Sequence, residues 1–424
     1  MKPVYALFDC NNCYVSCERV FQPYLRGIPI VCLSNNDGCI VARSNEAKAM
    51  GIKMGEPYFK IAAQCDRLGI AVLSSNYSLY ADMSQRVMSV ISECAPASEV
   101  YSIDEIFALL TGMPGNLGEY CRQVKDKVLQ WTGIPVSVGI AGTKTLAKLA
   151  NRLAKKSARA GGVIDLAGHP EWIDSALKRV EVGDVWGVGR RYAVRLIELG
   201  VRTAADLAEK DDKWVRREFG VVLARTAAEL RGTVCHDLET QPQPRQSCCC
   251  SRSFGDATGN IEHVAEAIRE FSQTAAERVR NEGLVAGHIQ VFASTNRFRQ
   301  DVVHGTMSAS APLAPATADG ARISKVALAL VRGCRTFEKG CEWTKAGVLL
   351  TDLCGKGAVK RDLFTVADSR RSDALMSAVD AVNSRFGRHC VGLGLSAPEA
   401  GWRMRRERLS PGWTTRWDEL PVVR

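Results

Sequence analysis

A polar, proline-rich stretch near the middle of the chain limits what it can fold into. Residues 241–246 read Gln-Pro-Gln-Pro-Arg-Gln and offer no large apolar side chain to a core. Proline lacks the amide hydrogen that helices and inner strands need, and such sequences form extended connections. We therefore interpret residues 233–246 as a linker. With 424 residues the chain is also too long for one ordinary core, which predicts several domains.

The sequence before the linker alternates between strand and helix patterns. Residues 26–74 look like an inserted lobe, with short strands at 30–34 and 38–43 and a helix at 44–50. Around it we predict a strand over 3–9, helices over 12–21, 79–94 and 117–131, a hairpin centred on 102–105, and a strand over 135–141. This alternation predicts an α/β region.

Two different patterns follow. Residues 167–232 show short helical segments separated by glycines, without strand signals, which predicts a compact helical domain. Beyond the linker we expect strand and helix patterns at 250–254, 261–281, 286–294, 301–308, 318–331 and 344–351. Their order, βαββαβ, is ferredoxin-like. A helix over 372–386 is predicted in the remaining tail.

Three acidic residues stand where predicted strands end. Asp9 follows an apolar strand, and Asp104 and Glu105 lie in the hairpin turn. If neighbouring strands carry them, the carboxylates converge and need a counter-charge, for which hard cations such as Mg²⁺ are suited. Two such ions would support phosphoryl transfer. The alternative is that Asp9 caps a helix and that the other two are ordinary turn residues.

A basic helical face lies near the end of the α/β region. Lys144, Lys148, Arg152, Lys155 and Arg159 are three or four residues apart and share one face, and no acidic residue interrupts the segment. Like charges at this spacing repel one another, so a polyanion such as DNA would explain their alignment. A purely solvated face is the alternative.

A glycine-containing turn opens a helical run in the helical domain. Gly187 and Gly189 flank Val188 and precede Arg190, and such glycines let backbone amides approach a phosphate. The pattern resembles a helix-hairpin-helix element that would bind duplex DNA. A plain packing corner between helices is the competing interpretation.

Composition adds limits on location and chemistry. No apolar run approaches the ~20 residues that span a bilayer, and the apolar start ends at Asp9 without a signal-peptide pattern, so we expect a cytoplasmic protein with no membrane partner. The 16 cysteines are scattered, and Cys10, Cys13 and Cys17 lack the remaining ligands of a zinc site. We expect reduced, buried thiols.

The sequence resembles the Y-family DNA polymerases over essentially its whole length. The matching motifs are Asp9-Cys10-Asn11-Asn12-Cys13-Tyr14, Ser34-Asn35-Asn36-Asp37-Gly38-Cys39, Ser75-Asn76-Tyr77, Tyr80-Ala81-Asp82-Met83, Tyr101-Ser102-Ile103-Asp104-Glu105 and Thr143-Lys144-Thr145-Leu146-Ala147-Lys148. The second of these, together with Cys250-Ser251-Arg252-Ser253-Phe254-Gly255, is similar to the UmuC branch.

The resemblance implies a multidomain right-hand polymerase of α/β and α+β type. A ferredoxin-like palm would span 1–25 and 75–166, small fingers 26–74, a helical thumb 167–232 and a βαββαβ little finger 247–353. Residues 354–424 would form a partner-binding tail. Within it, Trp402, Arg403, Arg405, Arg406, Arg408, Trp413 and Trp417 offer an interface, or alternatively a disordered basic end.

Roles for individual residues follow from the same resemblance. Asp9, Asp104 and Glu105, with the backbone carbonyl of Cys10, would hold two Mg²⁺ ions. Tyr14 would be the steric gate that excludes a 2′-hydroxyl, and Lys48 and Lys155 would contact the triphosphate of a deoxynucleoside triphosphate. Primer-template DNA would lie against Lys144, Lys148, Arg152, Gly187, Gly189 and Arg190.

Partners are implied in the same way. Leu363 and Phe364 occupy the place of a clamp-binding peptide, although its leading glutamine is absent. A dimer of processed UmuD-type subunits and RecA filaments would complete the assembly. The implied function is error-prone translesion synthesis in the SOS response. Two alternatives are a palm-type nucleotidyl cyclase and a non-catalytic, polymerase-shaped scaffold.

Overall fold

The computed structural model describes residues 2–241, 244–334, 340–359, 370–387, 390–394 and 402–422. They form two compact units. Unit 1 contains residues 2–34, 38–241 and 408–422 of this set, and unit 2 contains residues 35–37 and 244–407. Among the described residues, no helix combines the length and apolarity that a bilayer crossing requires.

Unit 1 begins with alternating strands and helices, as the sequence predicts. The elements are β1 (Tyr5–Cys10), α1 (Cys13–Phe21), β2 (Ile30–Leu33), β3 (Ile40–Arg43), α2 (Asn45–Ala49), α3 (Tyr58–Arg67), β4 (Ala71–Ser74), α4 (Tyr77–Ser92), β5 (Ala97–Val100), β6 (Glu105–Leu109), α5 (Leu117–Thr132), β7 (Val136–Ala141), α6 (Lys144–Lys156) and β8 (Val163–Asp165). The sequence patterns did not predict α3, β4 or β8.

The main sheet of unit 1 has five strands in the order β5-β6-β1-β7-β8. β1 lies in the middle and is buried along its whole length, which its apolar sequence favours. It pairs antiparallel with β6 on one side and with β7 on the other. The end of β1 is therefore flanked by two strands, and any side chain there has neighbours on both sides.

A second sheet in unit 1 has three strands in the order β3-β2-β4. Its small core contains Val31, Leu33, Ile40 and Ile61. Directly after β4, Asn76 accepts a hydrogen bond from the amide of Leu79 and so caps α4. This places the start of α4 beside the small sheet.

The last helices of unit 1 are α7 (Ile173–Arg179), α8 (Arg190–Glu198), α9 (Ala204–Ala208), α10 (Asp212–Phe219) and α11 (Val221–Leu230). Their apolar faces and those of α6 and β1 share one core, which includes Leu146, Leu177, Leu196 and Leu223. The predicted helical character of 167–232 is confirmed.

Unit 2 follows the predicted βαββαβ order. Its elements are β9 (Cys248–Thr258), α12 (Ile261–Asn281), β10 (Leu284–Thr295), β11 (Thr306–Thr317), α13 (Gly320–Gly333), β12 (Trp343–Gly355) and α14 (Arg370–Phe386). The strands form a sheet in the order β11-β10-β12-β9, so the first strand lies at an edge. In unit 1, by contrast, the first strand is central.

One strand of unit 2 differs from the prediction. β11 starts at Thr306 and runs to Thr317, whereas the sequence pattern predicted a strand over 301–308. Pro312 and Pro315 make this stretch a poor strand by propensity. β11 tolerates both because it lies at the edge of the sheet, where one side of its backbone needs no partner strand.

Candidate active site

Two carboxylates meet across neighbouring strands at the end of β1. Asp9 is the direct partner of Glu105 on β6 and of Ser137 on β7. Directly opposite residues of an antiparallel pair project to the same face of the sheet. The structure thus brings Asp9 and Glu105 together on one face of unit 1.

Asp104 lies beside them in the turn between β5 and β6. Its carbonyl accepts a hydrogen bond of 2.8 Å from the amide of Cys10. The hydroxyl of Ser102 accepts from the amides of Asp104 and Glu105 and donates to Asp104 Oδ1 at 2.6 Å. The turn is fixed by its own side chains, which explains why a Ser-x-Asp-Glu sequence forms it.

Lysines of α6 supply the counter-charges of this pair. Lys155 Nζ lies 2.5 Å from Asp9 Oδ2, and Lys148 Nζ lies 2.8 Å from Glu105 Oε2. α6 lies close to the sheet, and the side-chain amide of Asn151, Nδ2, donates to the backbone carbonyls of Ser137 and Leu7. The basic face predicted from the sequence is therefore directed, in part, at the acidic residues.

The pKa of Asp9 lies above that of an ordinary aspartate. Burial raises the pKa of Asp9 to about 6, the ammonium of Lys155 lowers it, and the charges of Glu105 and Asp104 raise it again. The lysine offsets only part of these effects. Carboxylate and carbonyl oxygens are the donors that Mg²⁺ prefers, so the donor set fits this ion in kind.

The carboxylates of Asp9, Asp104 and Glu105 each have a partner within the protein. Asp9 and Glu105 bind lysines, and Asp104 binds Ser102. Within the described ranges, no three His, Cys, Asp or Glu side chains are gathered closely enough to ligate one ion as they stand.

A pocket of about 250 Å³ opens beside the two ion pairs. Asp9, Glu105 and the lysines that pair with them line it, together with Arg152, Asp184 and Trp186. Lys148 Nζ lies 5.3 Å from the ring centre of Trp186 and 4.4 Å from that of Tyr101, both cation–π distances. The pocket combines acidic, basic and aromatic groups, as a site for a charged ligand would.

The remaining basic residues of α6 also have acidic partners. Lys144 is 3% exposed, pairs with Glu99 at 2.5 Å and donates to the carbonyl of Asp237. Arg152 pairs with Asp184. The burial of Lys144 weighs against a contact with DNA there. No sequence pattern marked Glu99 or Asp184, because both come from segments distant along the chain from the lysine and arginine that they pair with.

Tyr14 lies against two other tyrosines. Its ring stacks on that of Tyr80 with 4.4 Å between centres and 18° between planes, and it meets Tyr77 edge to face at 5.9 Å. Burial, followed by the effect of Tyr77, raises the pKa of Tyr14 to about 12. The ring is half-buried and held by aromatic contacts, and the gate role stays a prediction.

Lys48 lies on the surface next to α1. Its ammonium donates to Asn12 Oδ1 at 2.5 Å and to Asn45 Oδ1 at 3.2 Å. Partial burial lowers its pKa, and the charges of Arg43 and Lys155 lower it further. Because Lys155 contributes to this shift, the two lysines predicted to contact a triphosphate lie within electrostatic reach of each other.

The glycine turn before α8 is exposed. Gly187 has a φ of +86°, which favours glycine, and Gly189 is the N-cap of α8. Arg190 is exposed at the first position of that helix. All three residues lie at the surface, and DNA binding by them stays a prediction.

The remaining predictions concern the cysteines, the tryptophans of the tail and the clamp-binding motif. Cys10, Cys13 and Cys17 are buried, as expected of small apolar side chains, whereas Cys249 and Cys390 are exposed, so the expectation of buried thiols is wrong for these two. Trp402 is buried in the core of unit 2, and Trp413 stacks on Phe21 within unit 1, so these two tryptophans pack inside the chain and are not exposed for a partner. Leu363 and Phe364 lie outside the described residues.

Family comparisons show which known proteins the chain is similar to. Residues 8–152 match a family described as impB/mucB/samB, and residues 245–363 match the C-terminal domain of the same family. Protein UmuC of Salmonella typhimurium is 42% identical, covering 99% of this chain and 100% of that protein. The chain belongs to the impB/mucB/samB family. Residues 373–423 match a domain of unknown function, DUF4113.

Further relatives support the same assignment. Protein MucB of Escherichia coli is 40% identical over 99% of each chain. DNA polymerase IV of Pelotomaculum thermopropionicum is 27% identical, over 93% of this chain and 96% of its own. The predicted resemblance to Y-family polymerases of the UmuC branch is confirmed, as is the enzyme class, DNA-directed DNA polymerase.

Solved structures confirm the predicted fold class. A chimera of the Y-family DNA polymerases Dbh and Dpo4 is 23% identical, with a TM-score of 0.65, and covers 83% of this chain and 100% of its own. DinB from Sulfolobus solfataricus is 22% identical with a TM-score of 0.51, over 82% of this chain and 98% of its own. At this identity the likeness concerns the fold alone.

Proposed function

We propose that the protein copies damaged DNA templates by error-prone, template-directed nucleotidyl transfer. The observation that carries the proposal is the pairing of Asp9 with Glu105 across adjacent strands, with Asp104 in the adjoining turn, in a full-length relative of UmuC. These acids share one end of the sheet beside a pocket lined by lysines. That arrangement suits the reaction of a polyphosphate.

Asp9, Asp104, Glu105 and the Cys10 carbonyl would hold two Mg²⁺ ions. When bound, the ions supply activation of the primer hydroxyl and stabilisation of the leaving pyrophosphate. The lysines that now neutralise Asp9 and Glu105 would then be free to bind phosphate oxygens. Lys155 and Lys48 would together orient the triphosphate, and the charge of Lys155 contributes to the lowered pKa of Lys48.

The remaining residues act on sugar and DNA. Tyr14 would lie under the deoxyribose and exclude a ribose by contact with its 2′-hydroxyl. Lys148 and Arg152 line the pocket and would face the DNA backbone, and the turn from Gly187 to Arg190 would bind duplex phosphates. Lys144 is a weaker candidate because it is buried in an ion pair.

The larger architecture is proposed from the family. The domains would be a palm over 1–25 and 75–166, fingers over 26–74, a thumb over 167–232 and a little finger over 247–353. Processed UmuD-type subunits, RecA and a sliding clamp would be partners during the SOS response, in the cytoplasm. Unit 1 contains the proposed chemistry, because all of the proposed metal ligands belong to it.

Primer extension tests the proposal. The full chain, with its activating partners and Mg²⁺, should extend a primer past an abasic template site and release pyrophosphate. A double variant, Asp104→Ala with Glu105→Ala, should lose extension, whereas Asp126→Ala, which changes an acid of α5 with a 69% exposed side chain, should keep it. Extension that survives the double variant would contradict the proposed site. No extension by the wild-type assembly would favour a scaffold, and a cyclic nucleotide product would favour a cyclase.

A further inference from the structure

The C-terminal segment 408–422 packs within unit 1, far along the chain from the residues it contacts. The carbonyl of Arg408 accepts from the amide of Ser74, and the amide of Arg408 donates to the hydroxyl of Ser74. A parallel bridge joins Ser74 to Leu409. The segment therefore lies alongside the last residue of β4 as a short parallel neighbour, shortly before α4 begins. It lies inside the region that matches a domain of unknown function.

Ser410 completes the hydrogen bonding of a buried carboxylate. Its hydroxyl donates to Glu18 Oε1 at 2.9 Å, and the hydroxyl of Tyr80 donates to the same oxygen at 2.7 Å. The amide of Gln22 donates to Glu18 Oε2. Glu18 and Tyr80 are fully buried, and Ser410 is 7% exposed. Buried carboxylates need such donors, so the C-terminal segment and α4 are joined through Glu18.

Asn76 provides a second connection between the same elements. Its Nδ2 donates to the carbonyls of Ser410 and Pro411 and to the hydroxyl of Ser410, each at 3.1 Å. Its Oδ1 accepts from the amide of Leu79 and caps α4. The C-terminal segment thus contacts Asn76, the residue before α4, directly, and it is linked to Tyr80, one turn inside α4, through Glu18.

α4 carries the two tyrosines that touch Tyr14. Tyr80 stacks on the ring of Tyr14, and Tyr77 meets its edge. An uninterrupted series of contacts therefore runs from Ser410 through Glu18 and Tyr80 to Tyr14. A ring that must exclude one hydroxyl group has to be held in place, because a small displacement of the ring would admit it.

We infer that Ser410 and Glu18 are positioning residues for the sugar gate and determine how strictly the enzyme rejects ribonucleotides. The inference rests on the proposed role of Tyr14. It assigns to the C-terminal segment 408–422 a function that is separate from partner binding. Both residues are buried and act by fixing Tyr80, on which Tyr14 stacks.

The test compares insertion of a ribonucleotide and a deoxyribonucleotide by the full chain with its partners. Ser410→Ala should lower the ratio of kcat/KM for deoxyribonucleotide over ribonucleotide by about twofold to tenfold, the range expected for one lost hydrogen bond. Deoxyribonucleotide insertion should change little. Thr415→Ala is the matched control, since the hydroxyl of Thr415 in the same segment donates to the carbonyl of Gly412. Urea midpoints of both variants show whether folding is kept.

A double variant separates positioning from a general loss of structure. In a Tyr14→Ala background the gate is gone, so Ser410→Ala should leave the sugar ratio unchanged. An equal decrease in both backgrounds, or no decrease in either, would overturn the inference while leaving the proposed function intact. If Tyr14→Ala itself left the ratio unchanged, the gate assignment would fail and the inference with it. Absence of any extension by the wild-type assembly would overturn both.

Discussion

Replacing Gly139 with alanine should disturb the site by displacing α6. Gly139 lies in β7 directly beneath that helix, and a Cβ there would stand 2.2 Å from the carbonyl oxygen of Ala147 and 2.2 Å from the amide nitrogen of Asn151. Ordinary contacts begin at 3.4 Å, so sheet and helix must separate by about 1.2 Å. Both atoms belong to the helix backbone and cannot turn aside as a side chain can.

We expect two measurable consequences. Overpacking of this kind costs about 1–3 kcal/mol, and contact with backbone favours the upper end, so the free energy of unfolding should fall by about 3 kcal/mol in urea denaturation. Because α6 carries Lys148 and Lys155, nucleotide insertion should slow by about a hundredfold at 1 Å of displacement. Gly142→Ala is the control, since its Cβ would meet only a carbonyl oxygen at 3.9 Å. Equal stability and activity of the two variants would refute the close packing of α6 on β7.

Three further changes have defined outcomes. Burial raises the pKa of Glu18 above 4.5, although hydrogen bonds from Tyr80, Ser410 and Gln22 lower it, so its contribution to stability is complete below pH 4.5 and is lost as the pH rises through the folded-state value. Glu18→Gln should therefore gain stability relative to wild type as the pH rises from 4.5 to neutrality in urea titrations. Glu229→Ala should lower the free energy of unfolding by about 3 kcal/mol, because this buried carboxylate accepts hydrogen bonds from three backbone amides and from the hydroxyl of Thr145. Replacing Leu363 and Phe364 with alanine should reduce clamp-stimulated primer extension.

Each of these expectations has a contradicting result. A stability difference for Glu18→Gln that does not vary with pH would mean that the carboxyl does not titrate with a raised pKa. A Glu229→Ala variant as stable as Glu198→Ala, whose side chain is 58% exposed, would mean that the hydrogen bonds of Glu229 contribute little. Unchanged clamp stimulation would show that the divergent Leu-Phe motif does not bind.

Local patterns were enough to predict most helices and strands. The apolar run ending at Asp9 predicted the first strand, and the Ser-x-Asp-Glu segment predicted the hairpin that sets Glu105 opposite Asp9. Both depend on residues close together in sequence. The prediction of a strand over 301–308 was wrong because the actual strand, 306–317, contains prolines. These are tolerated only at the edge of the sheet, and which strand lies at the edge depends on the whole sheet.

The partners of the basic helix could not be predicted in this way. Lys144 and Arg152 pair with Glu99 and Asp184, which are 45 and 32 residues away along the chain. A charge pattern within one helix therefore cannot distinguish a DNA-binding face from one that is neutralised inside the protein. The contact between Ser410 and Glu18 is even harder to predict from the sequence, because 392 residues separate the two and neither belongs to a recognisable motif.

The most direct test of the proposed active site is the rate of single-nucleotide insertion opposite an abasic site by the assembled enzyme carrying Asp9→Asn. This change keeps the shape of the side chain and removes the charge that Lys155 and the proposed ions would neutralise. We expect a decrease of at least about a hundredfold, as for loss of one essential electrostatic group. A variant that inserts nucleotides at the wild-type rate would show that the chemistry takes place elsewhere.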